Sequence, residues 1–251
     1  MKKTILITGA SSGFGKAIAE KFAGAGWHCI ITGRRAGKLQ ELAKTLQDQY
    51  AVRVLPLVFD VQNRQEVFAA IGALPDDWKS IDLLVNNAGL ALGKDSFENA
   101  DLNDWDTMID TNVKGMMYVT KAVLPYMTAR KKGHIINMGS VAGKLVYREG
   151  NAYCASKFAV DALSHSMRID LLPHRIKVTA IHPGAAETEF SRVRFKGDEQ
   201  KAAAVYDGFT PLYAGDIADV AFYCATLPEN VCINDLVVTC TAQADGIYVH
   251  K

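Results

Sequence analysis

The sequence predicts an α/β fold in which a doubly wound sheet of seven parallel strands carries helices on both faces. Three observations predict it. Apolar runs rich in β-branched residues recur seven times along the 251 residues. The runs are continuously apolar rather than alternating, as strands covered on both faces must be. The longer stretches between them place apolar residues at helical spacing, so strand and helix alternate as in successive βαβ units.

The elements follow in order. The run TILIT (4–8) leads straight into Thr8-Gly9-Ala10-Ser11-Ser12-Gly13-Phe14-Gly15, after which Ala17, Ile18 and Phe22 mark a helix. At the carboxyl end of a central strand, three glycines serve three needs. Gly9 permits the tight turn, Gly13 lets the backbone approach a pyrophosphate, and Gly15 lets helix and strand pack closely. The second strand, HCIIT (28–32), ends in Thr32-Gly33-Arg34-Arg35. A site for NAD needs an acid there to hold the ribose 2′-hydroxyl. Two guanidiniums stand in its place, and their planar donor forks match a 2′-phosphate, which points to NADP. A helix with Leu39, Leu42 and Leu46 follows, then VRVLPLV (52–58) with Asp60 beyond it. The fourth strand, IDLLV (81–85), ends in Asn86-Asn87-Ala88-Gly89, again along the crevice where ligands of such sheets lie. Trp105, Ile109 and Val113 begin a long helix through 130, HIINM (134–138) precedes Ser140, and a helix over 152–172 begins with YCASK. IKVTAI (176–181) reaches the His182-Pro183-Gly184 turn, and LVVTC (236–240) is the last strand. Between them 184–213 is the least regular part, and a loop of that length in a compact domain is usually functional.

Composition excludes several classes. The 28 basic and 27 acidic residues leave +1, so no overall field favours nucleic acid or an anionic membrane. Five cysteines with no CxxC or Cys/His spacing argue for reduced thiols and a cytoplasmic setting, and against a disulfide framework or a metal site. The apolar run Ile5-Leu6-Ile7 is too short for a secretion signal, and no run approaches the roughly 20 residues of a membrane span, so a soluble protein is expected. With no repeat or linker, residues 1–251 read as one domain.

Tyr153 and Lys157 are either two amphipathic side chains at the edge of the core or a pair that carries chemistry. Four residues apart on a helix they share a face, so an ammonium stands beside a phenol. A tyrosine of pKa about 10 is largely protonated at neutral pH, and a neighbouring cation lowers a pKa by about 1–3 units. That suits a group exchanging a proton with a substrate oxygen while hydride moves to or from the adjoining carbon. Ser140, just past the fifth strand, is placed to hold the same oxygen.

TGASSGFG, NNAG, the Ser140 of NMGS, YCASK and the His-Pro-Gly turn, in this order over nearly the whole chain, resemble the short-chain dehydrogenase/reductase family. The resemblance implies a Rossmann domain with strand order 3-2-1-4-5-6-7, and catalytic roles for Asn112, Ser140, Tyr153 and Lys157, with Asn112 anchoring a water chain. It implies that NADP rests on Gly9, Ser11, Ser12, Gly13, Phe14 and Gly15. Arg34, Arg35, Asp60 and Val61 then border its adenosine half, and Asn87, Ala88 and Gly89 its middle. Tyr153, Lys157, Pro183, Gly184 and Thr188 flank the nicotinamide half. It also implies a homotetramer.

A narrower resemblance lies in NAGLALG (87–93), YCASKFAV (153–160) and TEFSRVRFKGD (188–198), which are similar to NADP-dependent 3-hydroxy acid dehydrogenases acting on serine, allo-threonine and related acids. The segment 147–150 and Ala185-Ala186, both expected to border the substrate, depart from that pattern. The expected reaction is hydride exchange between NADP(H) and a small 3-hydroxy acid, its 3-oxo acid or semialdehyde. The alternatives are a reductase of an uncharged ketone, sugar or acyl thioester, and a non-catalytic NADP-binding sensor. Residues 187–208 read as a lid. If extended, it turns Arg192, Arg194 and Lys196 to one side. An arginine of that face, Arg192 foremost and Arg194 also to be tested, is the expected carboxylate partner, with Arg148 the rival, while Ser140 and Tyr153 hold the reacting oxygen.

Overall fold

The computed structural model describes residues 2–251. Each of the seven apolar runs forms a strand: β1 (Thr4–Ile7), β2 (His28–Gly33), β3 (Val54–Val58), β4 (Leu83–Asn86), β5 (Gly133–Met138) and β6 (Ile176–Pro183), with the last run discussed below. Alternate residues of β1 serve opposite faces. Ile5 and Ile7 pack with Phe22, Leu39, Leu46 and Ile217, whereas Leu6 packs with Val67, Ile71, Val119 and Val123. All are fully buried, which is why the run shows no polar alternation.

Helices α1 (Gly13–Gly24) and α2 (Ala36–Tyr50) cover one face, and α3 (Arg64–Gly72) covers the other. Helix α4 (Leu102–Ile109) continues through a π-helical turn, Asp110–Gly115, into α5 (Met116–Arg130), so the long helix expected over 105–130 is interrupted. A Cβ on Gly115 would lie 2.8 Å from the Val61 side chain, so only glycine lets this widened turn sit against the end of β3. Helix α6 spans Asn151–Asp170.

The segment after β6 departs from the extended lid expected. It holds a short strand, β7 (Ala186–Glu187), and helices α7 (Glu189–Arg194) and α8 (Glu199–Ala204), before β8 (Leu212–Tyr213) pairs with β7. Residues two apart on a helix point about 200° apart, so Arg192 and Arg194 face opposite ways. Helix α9 (Ala214–Thr226) and β9 (Asp235–Val238) complete the chain. The large sheet runs β3-β2-β1-β4-β5-β6-β9, every pair parallel, which is the expected order once the two short strands take their numbers. The chain reverses its direction of travel across the sheet between β1 and β4, and a ligand crevice opens at the carboxyl ends there.

Candidate active site

A cleft of about 740 Å³ lies along that crevice, a volume in the range of cofactor sites. Its floor is the glycine turn. Gly9 has φ +66, and a Cβ there would lie 3.0 Å from Ala88 Cα. Gly15 does not line the cleft; a Cβ on it would stand 2.5 Å from Gly9 O and from Asn87 Nδ2, so it fits the helix beneath the turn. Asn87 Nδ2 donates to Thr8 O at 2.8 Å, tying the ends of β1 and β4 together. The Ser12 side chain makes no capping bond to α1 and no acid occupies the first turn. The first N–H groups of α1 are thus left without a side-chain acceptor, as an anion-binding helix end requires. Ser11, Ser12, Gly13 and Phe14 line this part.

At the end of β2, the two arginines divide. Arg34 Nη1 turns to Asp60 at 3.5 Å, while Arg35 folds over the glycine turn, its Nη2 donating to Ser11 Oγ at 2.8 Å and Ser12 Oγ at 2.7 Å. Arg35 Nη1 and Lys38 Nζ also reach Glu189 of α7, at 2.8 and 3.0 Å. Arg35 above all holds that carboxyl down to about 2. Two cations gathered on one anion beside the serines fit a ribose phosphate better than a ribose diol. Asp60, Val61, Ala88, Gly89, Pro183, Gly184 and Thr188 line the remainder.

Tyr153 and Lys157 lie one turn apart on α6, both buried. Lys157 Nζ donates to Met138 O at 2.9 Å and stands 5.9 Å from the centre of the Tyr153 ring. Burial pushes the ammonium down to about 8 and pushes the phenol well above its ordinary value. The neighbouring Ser140 hydroxyl and then the Arg194 guanidinium draw it partly back. The cation that the sequence sets beside the phenol is therefore held by the end of β5, and a second cation from the lid acts on the ring. Ser140 Oγ also accepts from Ala142 N at 3.1 Å. Asn112 stands behind the cleft wall on the π-helical turn, its Oδ1 accepting from Leu90 N at 2.8 Å and its Nδ2 donating to Ser156 Oγ at 3.0 Å. Gly89 lets the backbone pass, since a Cβ there would lie 3.2 Å from Asn112 Oδ1 and 3.5 Å from Lys157 Nζ.

The structure does not bring Arg148 or Arg192 to the cleft. Arg148 is 92% exposed, and Arg192 Nε pairs with Glu199 at 2.8 Å on the outside of the lid. Arg194 points inward instead. Its Nη1 donates to Tyr147 Oη at 3.1 Å, its Nε donates to Gly93 O at 3.2 Å, and its guanidinium lies 5.6 Å from the centre of the Tyr153 ring. Tyr147 lies in the segment 147–150 expected to border the substrate, whereas Gln243 is a site residue that the sequence reading does not single out. Gln243 Oε1 accepts from Ala185 N at 2.7 Å, and a Cβ on Gly184 would strike it. The helical spacing of the lid could have separated Arg194 from Arg192, whereas Gln243 reaches the site by a tertiary contact with no local signal.

A doubly wound sheet with an uncapped glycine turn at its switch point, and a buried Tyr/Lys/Ser group beside it, defines a dinucleotide-dependent oxidoreductase. The chain belongs to the short-chain dehydrogenase family, whose description matches residues 3–199. It is 45% identical over 249 residues to the NADP-dependent 3-hydroxy acid dehydrogenase YdfG of Escherichia coli strain K12, covering 98% of this chain and 99% of that protein. It is 47% identical over 245 residues to sulfoacetaldehyde reductase 2 of Chromohalobacter salexigens, covering 97% and 96%. Among solved structures it resembles the closed form of a serine dehydrogenase complexed with NADP+, with a TM-score of 0.92, 44% identity and 99% of each chain covered.

Proposed function

We propose that the chain exchanges hydride between NADP(H) and a small 3-hydroxy acid or its 3-oxo acid or semialdehyde. The observation that carries this reading is the inward pair Arg194 and Tyr147, a cation and a phenol hydrogen-bonded beside the reacting tyrosine. With Nε committed to Gly93, the donors left for an anion are the Nη groups and the Tyr147 hydroxyl. An anionic group a few bonds from the carbonyl meets a charge there, and an uncharged ketone does not. The glycine turn, the uncapped start of α1 and Arg35 would hold the dinucleotide, with Arg34 and Asp60 bordering its adenosine half. When bound, NADPH donates hydride and NADP+ accepts it.

The protein supplies the proton chemistry. Ser140 Oγ and the Tyr153 hydroxyl hold the carbonyl oxygen. A phenol raised by burial is protonated at neutral pH and so stands ready to give its proton as the oxygen gains charge. Lys157, itself close to neutral pH in its titration, is the adjacent group from which that proton is restored, and Asn112 holds the wall behind it.

A second reading, reduction of a two-carbon sulfonate aldehyde, is favoured by the similarity to sulfoacetaldehyde reductase 2. A sulfonate presents the same charge on a tetrahedral head, which separate donors from Arg194 and Tyr147 would suit. Steady-state kinetics on serine, 3-hydroxypropionate, malonic semialdehyde and sulfoacetaldehyde, with NADP(H) and NAD(H) compared, test both. Activity confined to uncharged carbonyls, or a preference for NAD(H), would refute them.

We also infer a single catalytic domain over 1–251, a lid at about 187–208 and a cytoplasmic homotetramer. Exposed Met117 on α5 and Phe158 and Ile169 on α6 support the assembly, and five unpaired thiols support the reducing compartment. No helix among the described residues is long and apolar enough to cross a membrane.

A further inference from the structure

Behind the Ser140 turn lies a group of charged side chains that the reaction does not touch. His182, at the end of β6, is wholly buried. Its ring lies against Gly139, where a Cβ would stand 2.3 Å from Nδ1, so the imidazole fits only because that residue has no side chain. Nδ1 is 3.3 Å from Ser140 O. Nε2 is 3.2 Å from Asp235 Oδ1 and 3.4 Å from Asp161 Oδ1. The same two carboxylates receive Lys144 Nζ, at 2.5 and 2.9 Å, and His165 approaches both from the solvent side at 3.9 and 3.6 Å. Lys144 ends the short 3-10 turn Val141–Gly143 that Ser140 caps. Asp161 follows Lys157 by one turn of α6.

From this geometry we infer that His182 is a positioning residue: it holds the start of the Ser140 turn to β6 while Lys144 holds its finish to Asp161 of α6 and Asp235 of β9, a clamp that fixes the Ser140 hydroxyl against Tyr153. The turn has two ends: its start bonds to His182 of β6 through the Ser140 carbonyl, and its finish bonds to the two carboxylates through Lys144. A Cβ on Gly143 would lie 2.6 Å from Lys157 O, so the middle of the turn already rests on the backbone of α6. What the clamp adds is the height of Ser140 above that contact. Burial and the Lys144 charge lower the His182 pKa, against the opposing pull of Asp235 and Asp161, so the ring carries one proton at neutral pH. The tautomer protonated at Nδ1 donates to the Ser140 carbonyl, and Nε2 then faces carboxylates whose charge Lys144 shares. Nε2 makes no aligned hydrogen bond, in keeping with that tautomer.

The inference rests on the oxidoreductase reading, and the test separates the two. His182→Leu deletes the donor, whereas His182→Asn keeps a side-chain N–H in reach of the Ser140 carbonyl. A Ser140 displaced by a fraction of an ångström lowers the chemical step without changing dinucleotide affinity. His182→Leu should lose roughly 10- to 100-fold in kcat with NADPH affinity by fluorescence titration held within about 2-fold, and His182→Asn should recover most of the loss. Lys144→Met, at the half-exposed end of the clamp, should show the same kcat-selective signature more weakly, and serves if His182→Leu does not fold. Leu and Lys144 variants with wild-type kcat, an Asn variant no better than Leu, or a parallel loss of NADPH affinity would overturn the clamp. A wild-type chain inactive on every carbonyl would instead overturn the functional reading, while the turn's thermal stability would still respond to His182→Leu.

Discussion

Replacing Arg194 with Gln should separate charged from uncharged substrates. The guanidinium makes two kinds of contact. Its Nε bond to Gly93 O, 3.2 Å, and its Nη1 bond to Tyr147, 3.1 Å, fasten α7 over the cleft whatever substrate is bound. Losing such bonds costs about 1 kcal/mol, or about 5-fold, for every substrate alike. Its charge acts only on an anion. A charge-assisted bond is worth about 1.5–3 kcal/mol, so kcat/KM for an anionic substrate should fall a further ~10- to 150-fold. The assay compares kcat/KM for a 3-hydroxy acid and for its methyl ester in the wild type, Arg194→Gln and Arg192→Gln. Arg192, 59% exposed and paired with Glu199, should change neither by more than about 2-fold. Equal losses for acid and ester in Arg194→Gln, or an acid-selective loss in Arg192→Gln, would refute the assignment.

Tyr153→Phe keeps the ring and deletes the exchangeable proton, so kcat should fall by about 10²–10⁴ with NADPH affinity unchanged in a fluorescence titration. Arg35→Gln should weaken NADP about 10- to 100-fold while barely affecting NAD, and Arg34→Gln should do less, because Arg35 is the guanidinium folded onto Ser11 and Ser12. Lys157→Met should stabilise the free protein at neutral pH. The folded lysine titrates at about 8 and the unfolded one at 10.5, so between those values the unfolded chain binds the extra proton and stability rises with pH. Below about pH 8 the burial cost is present in full. Thermal midpoints across pH 7–10 should therefore show the Met variant higher at pH 7 and flatter above pH 8.

The sheet was legible because continuous β-branched runs have few alternatives once helices separate them, and the glycine turn was legible because steric need names the residue. That Tyr153, Lys157 and Ser140 gather in one cleft could be expected for the same reason, as proton transfer to a carbonyl oxygen calls for few residue types. The substrate end was not. Whether 187–208 is extended or helical decides which of Arg192 and Arg194 faces inward, and the run TEFSRVRF carries apolar residues at spacings compatible with either. Thr188 settles it locally, its Oγ1 accepting from Phe190 N at 3.2 Å to cap α7. Gln243 meets Ala185 across 58 positions, a contact fixed by β9 pairing with β6. The π-helical turn under Asn112 likewise depends on Gly115 meeting Val61, which lies far back in the chain, in the loop after β3.

Helix α6 explains why these parts hold together. Tyr153, Lys157 and Asp161 follow at intervals of four and so form one stripe, each about 6 Å farther along the axis. Each meets a different point of the same strand end: Tyr153 the Ser140 hydroxyl, Lys157 the carbonyl of Met138, and Asp161 the ammonium of Lys144. One of these, the buried ammonium, opposes folding at neutral pH. It persists because the strand end it bonds to is itself fixed, by β5 pairing with β6 on one side and by the clamp of His182 and Lys144 on the other. A slide of α6 along its axis would break all three contacts together. The separation of phenol, ammonium and serine is thus set by contacts that fail only as a unit, and the residue farthest from the substrate, Asp161, helps to set it.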